Sequence, residues 1–149
     1  MSGILNIFSF FKECLTLLSK ILKGECRAIP IDSSNIDYLY HVVDKEHVQN
    51  IIDDGYILLQ RNSSDFLAMS GNEMKEGTRF LYAFKDFPTK ERLAISKGDF
   101  FNEKVVFKIK YNKEKYKDIY MRKLDEAILV PIYEDQFYLN DLEYSIKDL

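Results

Sequence analysis

At 149 residues the chain is long enough for one domain with a real core. A hydrophobic fraction of 46% and a charged fraction of 30% describe a soluble globular protein, and a net charge of −3 argues against a general nucleic-acid binder. Two cysteines and two histidines at unrelated spacings make no zinc signature, and a reduced, cytoplasmic protein fits them better than a disulfide-stapled one.

Ile4, Phe8, Phe11, Leu15, Leu18 and Leu22 recur at steps of four and three, the seam of an amphipathic helix. Leu5, Ile7, Phe10, Leu17 and Ile21 widen that face. Lys12, Glu13 and Lys20 interrupt the apolar run, so it does not read as a transmembrane segment. Without a basic leader it does not read as a secretory signal either. We read residues 1–24 as a separate amphipathic helix packed on the domain. A membrane-surface contact or a protein partner are the other uses of such a face. Residues 25–35 read as a connector with Pro30 and a turn at Asp32, Ser33, Ser34 and Asn35.

Residues 38–44 have strand character, with Leu39, His41 and Val43 on one face and Tyr38, Tyr40 and Val42 on the other. Asp44 is placed to cap a following helix with its carboxylate. Val43 and Val48 have the spacing of a hydrophobic staple, and Val48, Ile51 and Ile52 form a stripe that Gly55 ends. His41 thus falls at the carboxyl end of a strand beside a helix N-terminus, where phosphates can be held. A short strand over 56–59 follows. Residues 60–78 are the longest stretch without periodicity, which in a compact domain is functional or disordered.

Residues 79–84 read as a strand with Phe80, Tyr82 and Phe84 on one face. Residues 86–97 read as a helix with Pro88 in its first turn, Leu93 and Ala94 inward and Gly98 at its end. Over 104–111, Val105, Phe107, Ile109 and Tyr111 alternate with Lys108 and Lys110, so one side of that sheet is wet. Residues 116–121 read as a helical turn, 126–133 as a strand in which Pro131 marks an edge or bulge, and 137–146 as one or two last strands. This order makes residues 25–149 one α+β domain. Lys104, Lys108, Lys110, Lys113, Lys115, Lys117, Arg122 and Lys123 crowd one stretch, with Tyr111, Tyr116 and Tyr120 interleaved. A solvated face is the default reading and a nucleic-acid contact the alternative.

Leu39, Tyr40, His41 and Val42, then a helix ending Ile51, Ile52, Asp53, Asp54, Gly55, Tyr56 and Ile57, resemble the opening of the ADP-ribosyltransferase superfamily. That opening is a "Y-H-hydrophobic-T, helix, G-hydrophobic" pattern. Residues 79–84 resemble the superfamily's second conserved strand and 104–109 the strand after it. Residues 125–131 resemble the strand that begins with its catalytic glutamate. The resemblance runs in order over 38–146 and leaves the N-terminal helix outside. It is to DarT-like, RNA 2′-phosphotransferase-like and diphtheria-toxin-like members as a group.

The resemblance implies a single domain with a split, bent mixed β-sheet that holds NAD in a cleft. It implies a toxin-like, NAD-dependent mono-ADP-ribosyltransferase acting on a protein or nucleic-acid acceptor. His41 and its neighbour Tyr40 would bind the ribose of NAD, and Tyr82 would stack near the nicotinamide. Glu126 would bond the ribose 2′-hydroxyl and stabilise the charge that builds as the glycosidic bond breaks. Arg61 and Arg79 are the candidates for gripping the pyrophosphate. Aligned on Leu129, Val130 and Pro131, however, the glutamate position falls on Ala127. One residue reverses the face of a strand. Either a bulge corrects the phase, or Asp125 or Glu126 acts from another angle. The remaining alternative is a silent protein of this fold that binds a nucleotide or a protein partner.

Overall fold

The computed structural model describes residues 7–22, 28–59, 78–97 and 102–149. Helix α1 is Ile7–Leu22, followed by β1 Ala28–Ile31 and β2 Tyr38–Asp44. A 3-10 turn, Lys45–His47, leads into α2 Val48–Asp54 and β3 Tyr56–Leu58. Then come β4 Arg79–Ala83, α3 Lys90–Lys97, β5 Lys104–Lys110, β6 Ile119–Arg122, β7 Ala127–Ile132, β8 Gln136–Tyr138 and β9 Tyr144–Asp148.

The fold is α+β, and every pairing among the described strands is antiparallel. One sheet runs β1-β6-β7-β4, a second β2-β5-β9, and β3 pairs β8 as a ribbon. The edges β4 and β2 meet at a bridge between Tyr40 and Phe84, closed by two backbone hydrogen bonds of 2.9 Å. The two larger sheets thus meet at that single bridge, and β2 and β4 part on either side of it.

Both faces of this surface are covered. On one face lies the main core, where Leu39, Leu81, Phe107, Ile109, Ile128 and Val130 pack with Ile57 and Phe137 of the ribbon and with Val48 and Ile51 of α2. Each such side chain contributes about 1.5–3 kcal/mol by leaving water. On the other face Val42, Phe84, Val106 and Ala127 meet Leu93 of α3, and Ala28, Phe80 and Leu129 make a neighbouring cluster. Period-two alternation assigns the faces: Leu81 and Ala83 go to the main core, and Phe80, Tyr82 and Phe84 to the α3 side.

Several elements depart from the sequence reading. Asp44 makes no capping bond; its carboxylate takes the Lys104 ammonium across the β2–β5 pair, and the helix begins with a 3-10 turn. Gly55 does end α2, at φ 77° with its N–H on the Ile51 carbonyl at 2.9 Å. The connector contains β1, and the stretch 116–121, read as a helical turn, instead leads into β6 Ile119–Arg122, which lies between β1 and β7. Helix α3 begins at Lys90, with Thr89 as its cap through a 3.2 Å bond from the Arg92 N–H, so Pro88 lies outside it. The side of β5 read as wet is dry at Val106, which is fully buried beneath α3. Pro131 lies in a central strand, but β6 stops pairing at Leu129, two residues short of it. The seam read as the packed face of α1 points outward: Phe8 is 88%, Phe11 64% and Leu22 79% exposed. Gly24, Gly98 and residues 60–77 lie outside the described residues.

Candidate functional site at the sheet split

His41 stands where β2 and β4 part. Its Nδ1 is 2.5 Å from the Tyr82 carbonyl oxygen of β4. A carbonyl only accepts, so Nδ1 carries a proton. Cross-strand partners share a face, and His41 lies opposite Phe107 of the main core. The half-buried imidazole therefore fills the split from the main-core side.

Glu126 enters from the other side. A turn over residues 123–126 precedes β7, and the buried Asp125 holds that turn. The Asp125 carboxylate accepts Nε and Nη2 of Arg122 at 3.0 and 2.6 Å and the Ala127 N–H at 3.2 Å. The turn leaves Glu126 at φ 58°, the one non-glycine residue in left-handed backbone among the described residues. That conformation costs roughly 1–2 kcal/mol outside glycine. It also frees Glu126 from strand alternation, so the one-residue mismatch at Ala127 does not fix where its carboxylate points. That carboxylate lies 3.2 Å from Nη2 of Arg92 on α3.

Glu126 and Arg92 line a small cavity of about 90 Å³ together with Phe84, Lys85, Phe87 and Glu13 of α1. Tyr40 meets Phe87 edge-on, ring centroids 6.0 Å apart. Asp86 lines it too, so the walls set the two cations Arg92 and Lys85 against three carboxylates, with Phe84 and Phe87 as apolar faces and Glu126 held by a guanidinium. Sequence reasoning missed Arg92, Phe87 and Glu13. Arg92 joins Glu126 across 34 positions of chain, and no local pattern marks such a pairing.

The other predicted residues scatter. Tyr82 lies on the α3 side but further along β4, where the Arg122 guanidinium sits 5.8 Å above its ring and Phe80, Leu129 and Tyr120 surround it. Burial pushes the Tyr120 phenol up, and Asp118 adds to the shift. Arg79 is at the far end of β4, about 17 Å of strand from Phe84. Its Nη1 donates to the Leu59 carbonyl at 2.6 Å and its Nε pairs with Asp135 at 3.3 Å. Arg61 lies outside the described residues. Of the predicted residues, Glu126 lines the cavity, Tyr40 reaches it only through its edge-on contact with Phe87, and His41 is not among the cavity's described walls.

Elsewhere, Asp44, Glu46 and His47 place ligand atoms within 4.8 Å of one another, but Lys104 holds Asp44 and Glu46 lies 3.3 Å from His47. Several cations of the basic stretch have partners within the chain: Lys110 pairs with Glu143 and Lys113 with Asp37 at the surface, Arg122 with the buried Asp125, and Lys108 sits over the Tyr38 ring. No helix among the described residues is long and apolar enough to cross a membrane. Comparison of the chain with models of protein families, with curated proteins and with solved structures finds no match.

Proposed function

We propose that the chain is an ADP-ribosyltransferase-fold protein that uses NAD to modify a protein or nucleic-acid acceptor, with Glu126 as its acid. The observation that carries this reading is Glu126 itself. A charged residue held in left-handed backbone, half-exposed at a cavity mouth and paired to a guanidinium, is the kind of stored strain that functional sites retain. His41, which the resemblance puts on the ribose, enters instead from the opposite face of the sheet and is not among the cavity's walls, so the reading stands on Glu126 without it. For the group itself, Arg92 and Lys85 would meet the phosphates and Phe87 would offer a face to a base, against the opposing charge of Glu13 and Asp86 on the same walls.

NAD, when bound, supplies an ADP-ribosyl group whose bond to nicotinamide breaks with the electron pair leaving on the ring nitrogen. For that step Glu126 has to exchange Arg92 for the ribose 2′-hydroxyl, so that its negative charge faces the sugar as positive charge builds there. Arg92 is then free to take phosphate. His41, its Nδ1 fixed on the Tyr82 carbonyl, keeps the two sheet edges in register below the cavity.

The test is release of labelled nicotinamide from NAD in the presence of candidate acceptors. Turnover that falls at least about a hundredfold in Glu126→Gln supports the assignment; turnover that survives it removes Glu126 from the chemistry. A second reading has its own observation: the Glu126–Arg92 pair neutralises the acid. A silent protein of this fold would bind NAD in calorimetry and never consume it.

A further inference from the structure

We infer that the open stripe of α1 joins two copies of this chain. Ile7, Phe8, Phe11, Leu15, Leu18 and Leu22 are 53–88% exposed. At about 100° per residue they fall within about 100° of the helix circumference. Phe8, Phe11, Leu15, Leu18 and Leu22 follow one another at steps of three, four, three and four. That spacing averages about 3.5 residues, the repeat that keeps one seam facing a second helix along its length. Phe10, Cys14 and Leu17, in the rest of the apolar side, are half-buried in the helix that lies against α3. The stripe is therefore the part of the apolar side that the described residues leave uncovered.

Area, spacing and charge select the occupant. A fully open large apolar side chain presents roughly 200 Å², so the six together leave roughly 800 Å² open on each copy. Stable interfaces take about 800 Å² from each partner. No charged residue interrupts the stripe, so it matches a copy of itself, and a two-fold axis brings the same patch of both chains together. A bilayer surface is the poorer match, because interfacial helices carry a strongly cationic polar side. In Ile7–Leu22 the charges are Lys12 and Lys20 against Glu13, a net of +1 on a chain of net −3. Leu15 and Leu18 belong to none of the core clusters among the described residues. Substitutions there thus probe the contact and spare the core.

Sedimentation velocity of the full chain from about 1 to about 300 µM reads the association. Reducing conditions keep Cys14 and Cys26 from bridging two chains. The expected result is a concentration-dependent shift from the 17.6 kDa monomer toward twice that mass. Leu15→Glu and Leu18→Gln should each raise the dissociation constant at least about tenfold, since each sets a polar group into the seam of both copies. Glutamate and glutamine are good helix formers, and unchanged far-UV circular dichroism shows that α1 persists in both. Leu15→Ile, apolar and of like volume, and Thr16→Glu, on the polar side, should each stay within about threefold of the parent. A monomer at every concentration overturns the pairing. So does a dimer that survives both seam variants, or one that Thr16→Glu weakens as much as they do. Pelleting of a monomer with phosphatidylserine vesicles, lost in Leu15→Glu, would give the stripe to a lipid surface and overturn it as well.

Discussion

Glu126 carries a cost that glycine would not. In left-handed backbone a side chain loses roughly 1–2 kcal/mol, whereas the Arg92 pair, part-exposed at both ends, returns at most about 1 kcal/mol. Glu126→Gly should therefore raise stability by up to about 1 kcal/mol in urea unfolding while abolishing NAD turnover. Stability gained with activity lost is the signature of a residue kept for function. Loss of stability would mean the Arg92 contact outweighs the strain. Its neighbour Asp125 is the opposite case. It is buried, it grips Arg122 with both oxygens, and it holds the Ala127 N–H. Asp125→Ala should cost about 3 kcal/mol, because Arg122 loses its counter-charge. Asp125→Asn should recover part of that by keeping an acceptor for Ala127. Equal losses in the two variants would show that charge alone matters.

Elements here are tied at their ends, and β5 is an instance. Just past its last residue, Tyr111 receives the chain back: its N–H bonds the Asp37 carbonyl at 2.9 Å, and its hydroxyl donates to the Tyr116 carbonyl. Burial pushes the Tyr111 phenol up, a hydrogen bond with Ser33 partly opposes that rise, and Asp118 adds to it. The sign follows directly. The folded state holds this proton more tightly than the unfolded chain, whose tyrosines ionise near pH 10, by about the ordinary value. The stabilisation is complete below about pH 10 and is lost as pH rises through that value toward the folded one. Tyr111→Phe should flatten the fall of stability above about pH 10. At neutral pH it should cost about 1 kcal/mol for the lost hydroxyl bond. Urea midpoints across pH 7 to 11.5 check both; an alkaline slope unchanged by the substitution would put the loss elsewhere.

At the scale of the whole molecule, what was legible follows from how far each signal reaches. Strands with an apolar face, such as 38–44 and 104–110, announce themselves by period two, and Gly55 by its need for positive φ. β1 hides behind Pro30, and β6 behind lysines and tyrosines, since an edge strand and its neighbour need little apolar periodicity. The left-handed turn at Glu126 has no residue-level mark, because glutamate is not a turn residue. The meeting of Glu126 with Arg92 depends on β7 and α3 reaching the same side of a sheet. Helix α1 shows the limit most sharply: its heptad-like seam predicts the helix, but not whether anything covers it.

That seam makes a last prediction. Among the α1 residues whose exposure is described, none is buried. The main core and the α3-side clusters are built from residues of 28–149. Removing residues 1–24 should therefore leave a cooperative unfolding transition and shift stability by less than about 1 kcal/mol, since little apolar area leaves the core. The same truncation should raise solubility, because an exposed stripe from Phe8 to Leu22 exceeds what isolated soluble chains usually show to water. Urea unfolding and light scattering of the 25–149 fragment measure the two effects. A broadened transition, or a loss of several kcal/mol, would mean that α1 is part of the domain's cooperative unit.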